Sequence, residues 1–381
     1  MLSRILLLAF GTSLGTVAAA QGFQLQYGGS QLQDAVAVFG DATGYTSVVR
    51  ETYNTGTRVR VQLLRTSLQG LTLQWYDVAL TGTCFVQAAV MASDGNIVLC
   101  GSSIAPGRSD QDALLAKIST TGAVLWSWTS NDPATQEELY GLQQTADGGY
   151  IACGMRRADA DGDALLVKAG ANGTLQWSQH YGTTTDEMLR GVSSDANGYV
   201  GVGRITNFGG DIDTYIVRTD LSGAQQWWQS WGGIKNDEFY GIARSGSNYV
   251  MAGRTNSYGP LVSGVPVQSV YLMAMNTAGD TLWTRTFGNV AAASSTESIT
   301  TATNGDLVLA GRSGDHHATD AMVMRVNSSG SLVWQHTYNV ANEDVLHTLT
   351  LLTDGGFIAA GRTLADIGDQ AILVRKNSSG Q

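Results

Sequence analysis

One register runs the length of this 381-residue chain and restricts its fold more than any other feature. A basic residue stands five positions before a glycine at Arg65/Gly70, Lys117/Gly122, Lys168/Gly173, Arg218/Gly223, Arg325/Gly330 and Arg375/Gly380. Gly279 is the seventh glycine, with Ala274 in the basic slot. Successive glycines lie 52, 51, 50, 56, 51 and 50 residues apart. A tryptophan follows each of the first six, at Trp75, Trp126, Trp177, Trp227, Trp283 and Trp334. A period near 50 means one supersecondary unit used repeatedly, because such a unit cannot bury its apolar faces alone.

Each unit holds four short strand patterns, such as "EMLRGVS", "GYVGVG", "DTYIVR" and "AQQWWQSW" around Gly223. Asp-Gly or Asn-Gly turns separate the first two in several units, supplying the positive φ that tight hairpins need. No period of 3.6 competes with the alternating and β-branched runs. Four antiparallel strands every 50 residues predict an all-β, seven-bladed β-propeller. The tryptophans are expected as a buried belt of blade-to-blade packing, each contributing about 1.5–3 kcal/mol.

The chain has seven copies of the first three strands but six of the fourth. Near the start stands an orphan, "GFQLQYGG", in which Phe23 and Tyr27 repeat the spacing of Trp177/Tyr181 and Trp334/Tyr338. The N-terminal segment 22–28 is therefore expected to close the ring as the outer strand of the last blade, beside residues 370–376. This makes residues 21–381 a single domain, expected to be monomeric.

The first twenty residues read as a leader. Arg4 precedes an apolar stretch beginning at Ile5, and Ala18-Ala19-Ala20 gives a small-residue cleavage pattern. Cleavage near Ala20 implies an exported protein, secreted or at the outer surface, and no later run is long enough to span a membrane. The formal net charge of −10 disfavours nucleic acid, whose phosphates need a basic face. Cys84, Cys100 and Cys153 form no dense framework, and the last two share one repeat position, which suggests buried small hydrophobes ahead of the alternative, a disulfide or a reactive thiol.

The unit "Y-G-G/T … D-E … D-G-G-Y/F-I … G-R … D … K/R-x-N/D-x-x-G-x-x-x-W" resembles the repeats of secreted bacterial β-propellers common in the Bacteroidota. That resemblance implies export, often through a C-terminal type IX secretion sorting domain, and most such proteins lack an assigned activity. The G-x-x-x-W corner also resembles the tryptophan-docking blades of quinoprotein-like propellers. Only the packing device is taken from this second likeness, since there are seven registers and no vicinal cysteine pair.

In a propeller the loops from fourth to first strand and from second to third strand share one face beside the channel, and loops on a rigid scaffold carry function. Here they hold Asp34, Glu137, Glu138, Asp186, Glu187, Asp237, Glu238, Glu297, Glu343 and Asp344, with a second set at Asp110, Asp112, Asp159, Asp161, Asp163, Asp211, Asp213, Asp320 and Asp369. "DADGD" offers alternate oxygens for calcium from Asp159, Asp161 and Asp163. Against this, aspartates recurring before the third strand suit turn formation, and Arg204, Arg254, Arg312 and Arg362 at the same rim could pair with them. His316 and His317 are adjacent on a loop, where neighbouring side chains point apart. The insertion Ser257–Ser269 is the clearest break in the repeat. It reads either as a partner-binding loop or as a tolerated insertion.

No nucleophile elbow, H-E-x-x-H or P-loop is present. Three readings follow: an exported non-enzymatic propeller binding a protein or glycan, a polysaccharide hydrolase or lyase using carboxylates at the channel face, or a structural module. An active site must depart from the repeat symmetry, and the recurring acids do not.

Overall fold

A computed structural model describes residues 22–29, 31–53, 58–158, 161–315, 318–365 and 368–381. The leader 1–20 with Ala20, and Asp159, His316 and His317, lie outside the described residues. The structure is a seven-bladed β-propeller with no helix among the described residues. Each blade is a four-stranded antiparallel sheet, and in the first six the strands run in chain order from the axis outward. Blade 3, for example, comprises Gln136–Gln144, Tyr150–Arg157, Gly162–Ala169 and Leu175–Tyr181.

The expected ring closure is observed. Blade 7 is built from Glu343–Leu351, Phe357–Ala365 and Gly368–Lys376, and its outer strand is Phe23–Tyr27. Phe23 lies opposite Arg375 and Tyr27 opposite Ala371. Closure leaves no sheet with a missing outer strand, and so fewer free edges for another chain to pair with.

The core lies between blades. Middle strands are buried on both faces, so Asp112–Ile118 reads as an almost unbroken apolar run and is buried throughout. At one interface, Ile151, Cys153 and Leu166 of blade 3 meet Tyr199, Tyr215 and Val217 of blade 4. The three cysteines are buried and unbridged, and burial pushes the Cys100 and Cys153 thiols up.

The repeated glycine and tryptophan belong to one joint. Gly173 has φ +82°, and a Cβ there would lie 2.6 Å from the Trp126 ring of the preceding blade. Trp177 meets Gly223, Trp227 meets Gly279, Trp283 meets Gly330 and Trp334 meets Gly380 in the same way. Phe23 takes the role against Gly70. The aromatic four residues further on adds a hydrogen bond: Tyr27, Tyr181 and Tyr338 donate to the carbonyls of Gly70, Gly223 and Gly380 at 2.5, 2.7 and 2.9 Å. The tryptophans are half-buried rather than fully buried, because the outer strand has solvent on its far side. Trp75 departs from the belt. Its strand carries Gln74 opposite Arg65, where Trp126 lies opposite Lys117, so the one-residue offset turns Trp75 toward the blade 7 interface.

The repeated basic residue is explained by the turn between the first two strands. Lys117 pairs with Asp94 at 2.6 Å, Lys168 with Asp147 at 2.9 Å, Arg218 with Asp195 at 2.9 Å and Arg325 with Asp306 at 2.7 Å. Arg65 with Asp41 and Arg375 with Asp354 complete the set. Blade 5 lacks both members: Ala274 fills the basic slot, and its turn Ser245-Gly246-Ser247-Asn248 has no aspartate. A long cation buried without its acid would cost more than the pair contributes, so acid and base are lost together.

Candidate functional site

Every first strand carries a β-bulge at mid-length, which adds one residue on the side facing the axis. The added residues are Val36, Gln87, Tyr140, Arg190, Tyr240, Glu297 and His347. A bulge re-aims a side chain without disturbing the sheet around it. All seven line one cavity of about 360 Å³ on the propeller axis. Small residues follow each of them: Ala37, Ala88, Gly141, Gly191, Gly241, Ser298 and Thr348. The inner strands crowd at this depth, since a Cβ on Gly141 would lie 2.7 Å from the Arg190 carbonyl oxygen of the next blade. The scaffold here is seven-fold, yet six residue types occupy seven positions.

Polar contacts link these residues around the ring. His347 Nε2 of blade 7 stands 3.2 Å from Asp34 Oδ1 of blade 1, whose Oδ2 pairs with Arg50 at 3.0 Å. Arg50 donates to Gln87 Oε1 at 3.2 Å, and Gln87 Nε2 donates to Glu138 Oε1 at 2.5 Å. Tyr140 donates its hydroxyl to Glu138 Oε2 at 2.8 Å. The Arg190 guanidinium lies 4.4 Å from the Tyr140 ring centre and 6.0 Å from that of Tyr240. Tyr240 in turn donates to Glu238, which also pairs with Arg254 at 2.6 Å.

Burial and neighbouring charges together set the proton affinities. Burial alone would lower the His347 pKa, but the Asp34 carboxylate outweighs it and holds the imidazole above its ordinary value. Burial would raise Asp34, yet His347 and Arg50 hold it well below the usual carboxylate range. Burial, reinforced by Glu138 and Glu238 respectively, pushes the Tyr140 and Tyr240 phenols well up, so both are neutral hydrogen-bond donors.

The acids singled out from the sequence divide into two groups. Asp34, Glu138, Glu238 and Glu297 belong to the channel. The rest of those with resolved partners fasten loops: Glu137 faces Arg156, Asp186 pairs with Arg157, and Glu187 takes the Thr183 and Thr185 hydroxyls. Asp237 and Asp344 accept from the backbone amides of Gly233 and Val340. Before the third strands, Asp112 accepts from the Asp132 amide, Asp213 from Asn207 and Asp320 from Asn339, while Asp369 pairs with Arg362. Of the rim arginines, Arg204 reaches across blades, 3.8 Å from Glu238.

In the calcium candidate, Asp161 is exposed, and Asp163 is engaged by His180 at 2.8 Å. Among the described residues no group of three or more His, Cys, Asp or Glu is arranged to hold a metal. The insertion after Ser257 forms a small hairpin, Leu261–Val262 with Val265–Pro266, carrying exposed Leu261 and Val265. Tyr258 ties its base down, donating to the Gly232 carbonyl at 2.5 Å and lying 5.8 Å from Tyr271.

No protein-family model and no curated protein sequence matches the chain. Solved propellers resemble it in fold. Polysaccharide lyase Uly1 superposes with a TM-score of 0.53 at 12% identity, over 90% of each chain. The β-propeller domain of the Trilobed protease from Pyrococcus furiosus, described as having an open velcro topology, gives 0.50 at 8% identity, over 91% of this chain and 95% of that one. Sqt1 from Chaetomium thermophilum gives 0.50 at 11% identity, over 87% and 80%. At these identities the shared property is the propeller architecture.

Proposed function

We propose that this protein is an exported, non-enzymatic binding propeller that takes part of a glycan or protein ligand into its axial channel. The reading rests on the bulge ring. Blades that share one backbone plan carry six residue types at their seven axial positions, and a ligand lacking seven-fold symmetry requires that difference. The cavity falls within the usual size range for small-ligand sites and joins a few polar groups to aromatic walls. Screening the secreted chain against glycan and peptide arrays tests this, with Gln87→Trp as a variant that fills the channel. Ligand capture that Gln87→Trp abolishes, with its melting temperature retained, supports the reading. Capture unaffected by the filled channel overturns it.

A second reading, a polysaccharide-acting lyase or hydrolase, draws on the same ring. His347, Tyr140, Tyr240 and Glu297 are groups that can exchange protons, and one fold relative is a polysaccharide lyase. Incubation with acidic and neutral polysaccharides separates the two. Unsaturated or newly reducing ends that depend on His347 or Glu297 would favour the enzyme.

A further inference from the structure

We propose that the channel recognises a carboxylate-bearing sugar, a uronate residue, through Arg190. The inference rests on the channel-binding reading above and names its ligand class. Arg190 is a permanent cation whose Nε is buried without a hydrogen-bond partner. Among the described residues it forms no ion pair. The acids bonded to its two tyrosine neighbours are already engaged: Glu138 receives Gln87 and Tyr140, and Glu238 receives Tyr240 and Arg254. Tyr140 and Tyr240 position the guanidinium through their ring faces, as aromatic rings do for cations. Its remaining N–H groups can therefore be satisfied by an anion from outside the chain.

The surroundings narrow that anion. With Arg50 held by Asp34 and Arg254 by Glu238, Arg190 is the cation left to face a ligand, beside Glu138 and Glu297, and this balance disfavours a phosphate dianion relative to a monoanion. The guanidinium fork matches a planar carboxylate in a bidentate arrangement. Elsewhere on the ring, Glu297, His347 and Gln87 would lose hydration against an apolar acid and gain partners from a hydroxylated ring. An anionic, hydroxyl-rich ring is a uronate.

Titration calorimetry on the full chain provides the test, with uronate tetrasaccharides, neutral tetrasaccharides of matched length, a sulfated glycan and a simple monocarboxylate as probes. Arg190→Gln keeps the side-chain length and removes the charge, and Arg190→Lys keeps the charge and removes the fork. The expected result is uronate binding, weakened about ten- to a hundredfold by Arg190→Gln and partly retained by Arg190→Lys, with unchanged melts for both. Equal binding of neutral sugars, or uronate affinity unmoved by Arg190→Gln, overturns the uronate assignment. If Gln87→Trp still abolishes that neutral binding, the channel reading stands and the ligand class alone is wrong. Preference for the sulfated glycan or the simple acid likewise rejects the uronate. No uronate binding by the unaltered protein rejects it outright.

Discussion

Removing the closing strand gives the most exposed test of the architecture. A chain beginning at residue 30 loses Phe23–Tyr27 and its five register pairs with residues 371–375. The backbone hydrogen bonds lost are each worth about 0.5–1.5 kcal/mol net. They are roughly offset by the ordering of five residues, which no longer costs about 1–2 kcal/mol each. Side chains decide the balance. Tyr27 is buried, and Phe23 packs edge-on to Tyr45 with centroids 5.8 Å apart. Together they contribute about 2–4 kcal/mol by burial, and the Tyr27 hydrogen bond to Gly70 adds about 1 kcal/mol. A loss of roughly 3–5 kcal/mol follows. Unfolding entropy of about 2.1 cal/mol/K per residue over about 360 residues converts each kcal/mol into about 1.3 °C. Scanning calorimetry should therefore show a melting temperature roughly 4–7 °C below that of a chain beginning at residue 22. A synthetic peptide of residues 22–29 should restore part of it. An unchanged melt, or a peptide without effect, would refute the closure energetics.

Three further outcomes are expected. Gly173→Ala forces a Cβ into the Trp126 ring at positive φ and should cost about 1–3 kcal/mol, read by urea unfolding against a Ser→Ala control on an exposed turn. Asp147→Ala should destabilise more than an exposed acid normally does. Its side chain is 54% exposed, but its partner Lys168 is 2% exposed and would keep only the Ala169 carbonyl. A loss of about 1–3 kcal/mol, or about 1–4 °C, is expected. Neighbouring Thr145 and Lys168 hold Asp147 down to about 2, so its contribution is present above pH of about 4 and is lost only as pH falls through about 2. Finally, the raised His347 pKa means the pair with Asp34 is fully present below about pH 6.5 and is lost as pH rises through the folded value. The depressed Asp34 pKa keeps that pair intact down to strong acid. His347→Gln should therefore lower the melting temperature more at pH 5.5 than at pH 8.5, and an equal loss at both would contradict the assignment.

Particular residues show how far the sequence could be read. Gly173 and Trp177 were legible as a repeat because a turn with positive φ and a docked ring both demand fixed residue types. The closing role of Phe23 and Tyr27 was legible because it reuses that same spacing. The function of the basic slot was less visible, since Lys168 and Asp147 meet only once the third strand runs beside the turn. The channel ring escaped notice for a physical reason. A bulge interrupts the alternation on which strand reading depends, so nothing in the pattern marked Arg190 or His347 as facing the axis. A faint signal exists: a varied residue followed by a small one, as in Tyr140-Gly141, Arg190-Gly191 and Glu297-Ser298. The carboxylates drew attention by number, yet most of them hold loops, and the channel uses those two residues before a bulge or at it.

The shared last blade also has a kinetic consequence. Leu25 and Leu373 are paired across almost the whole chain, so this contact cannot form while the polypeptide is still being made. Six blades can assemble in order as they emerge, each against its predecessor, while the amino-terminal strand waits unpaired. Contacts this distant in sequence form slowly. The final clasp should thus be the rate-limiting event in maturation, and the interval before it is when the waiting strand and the bare flank of the last sheet are most open to pairing with another molecule.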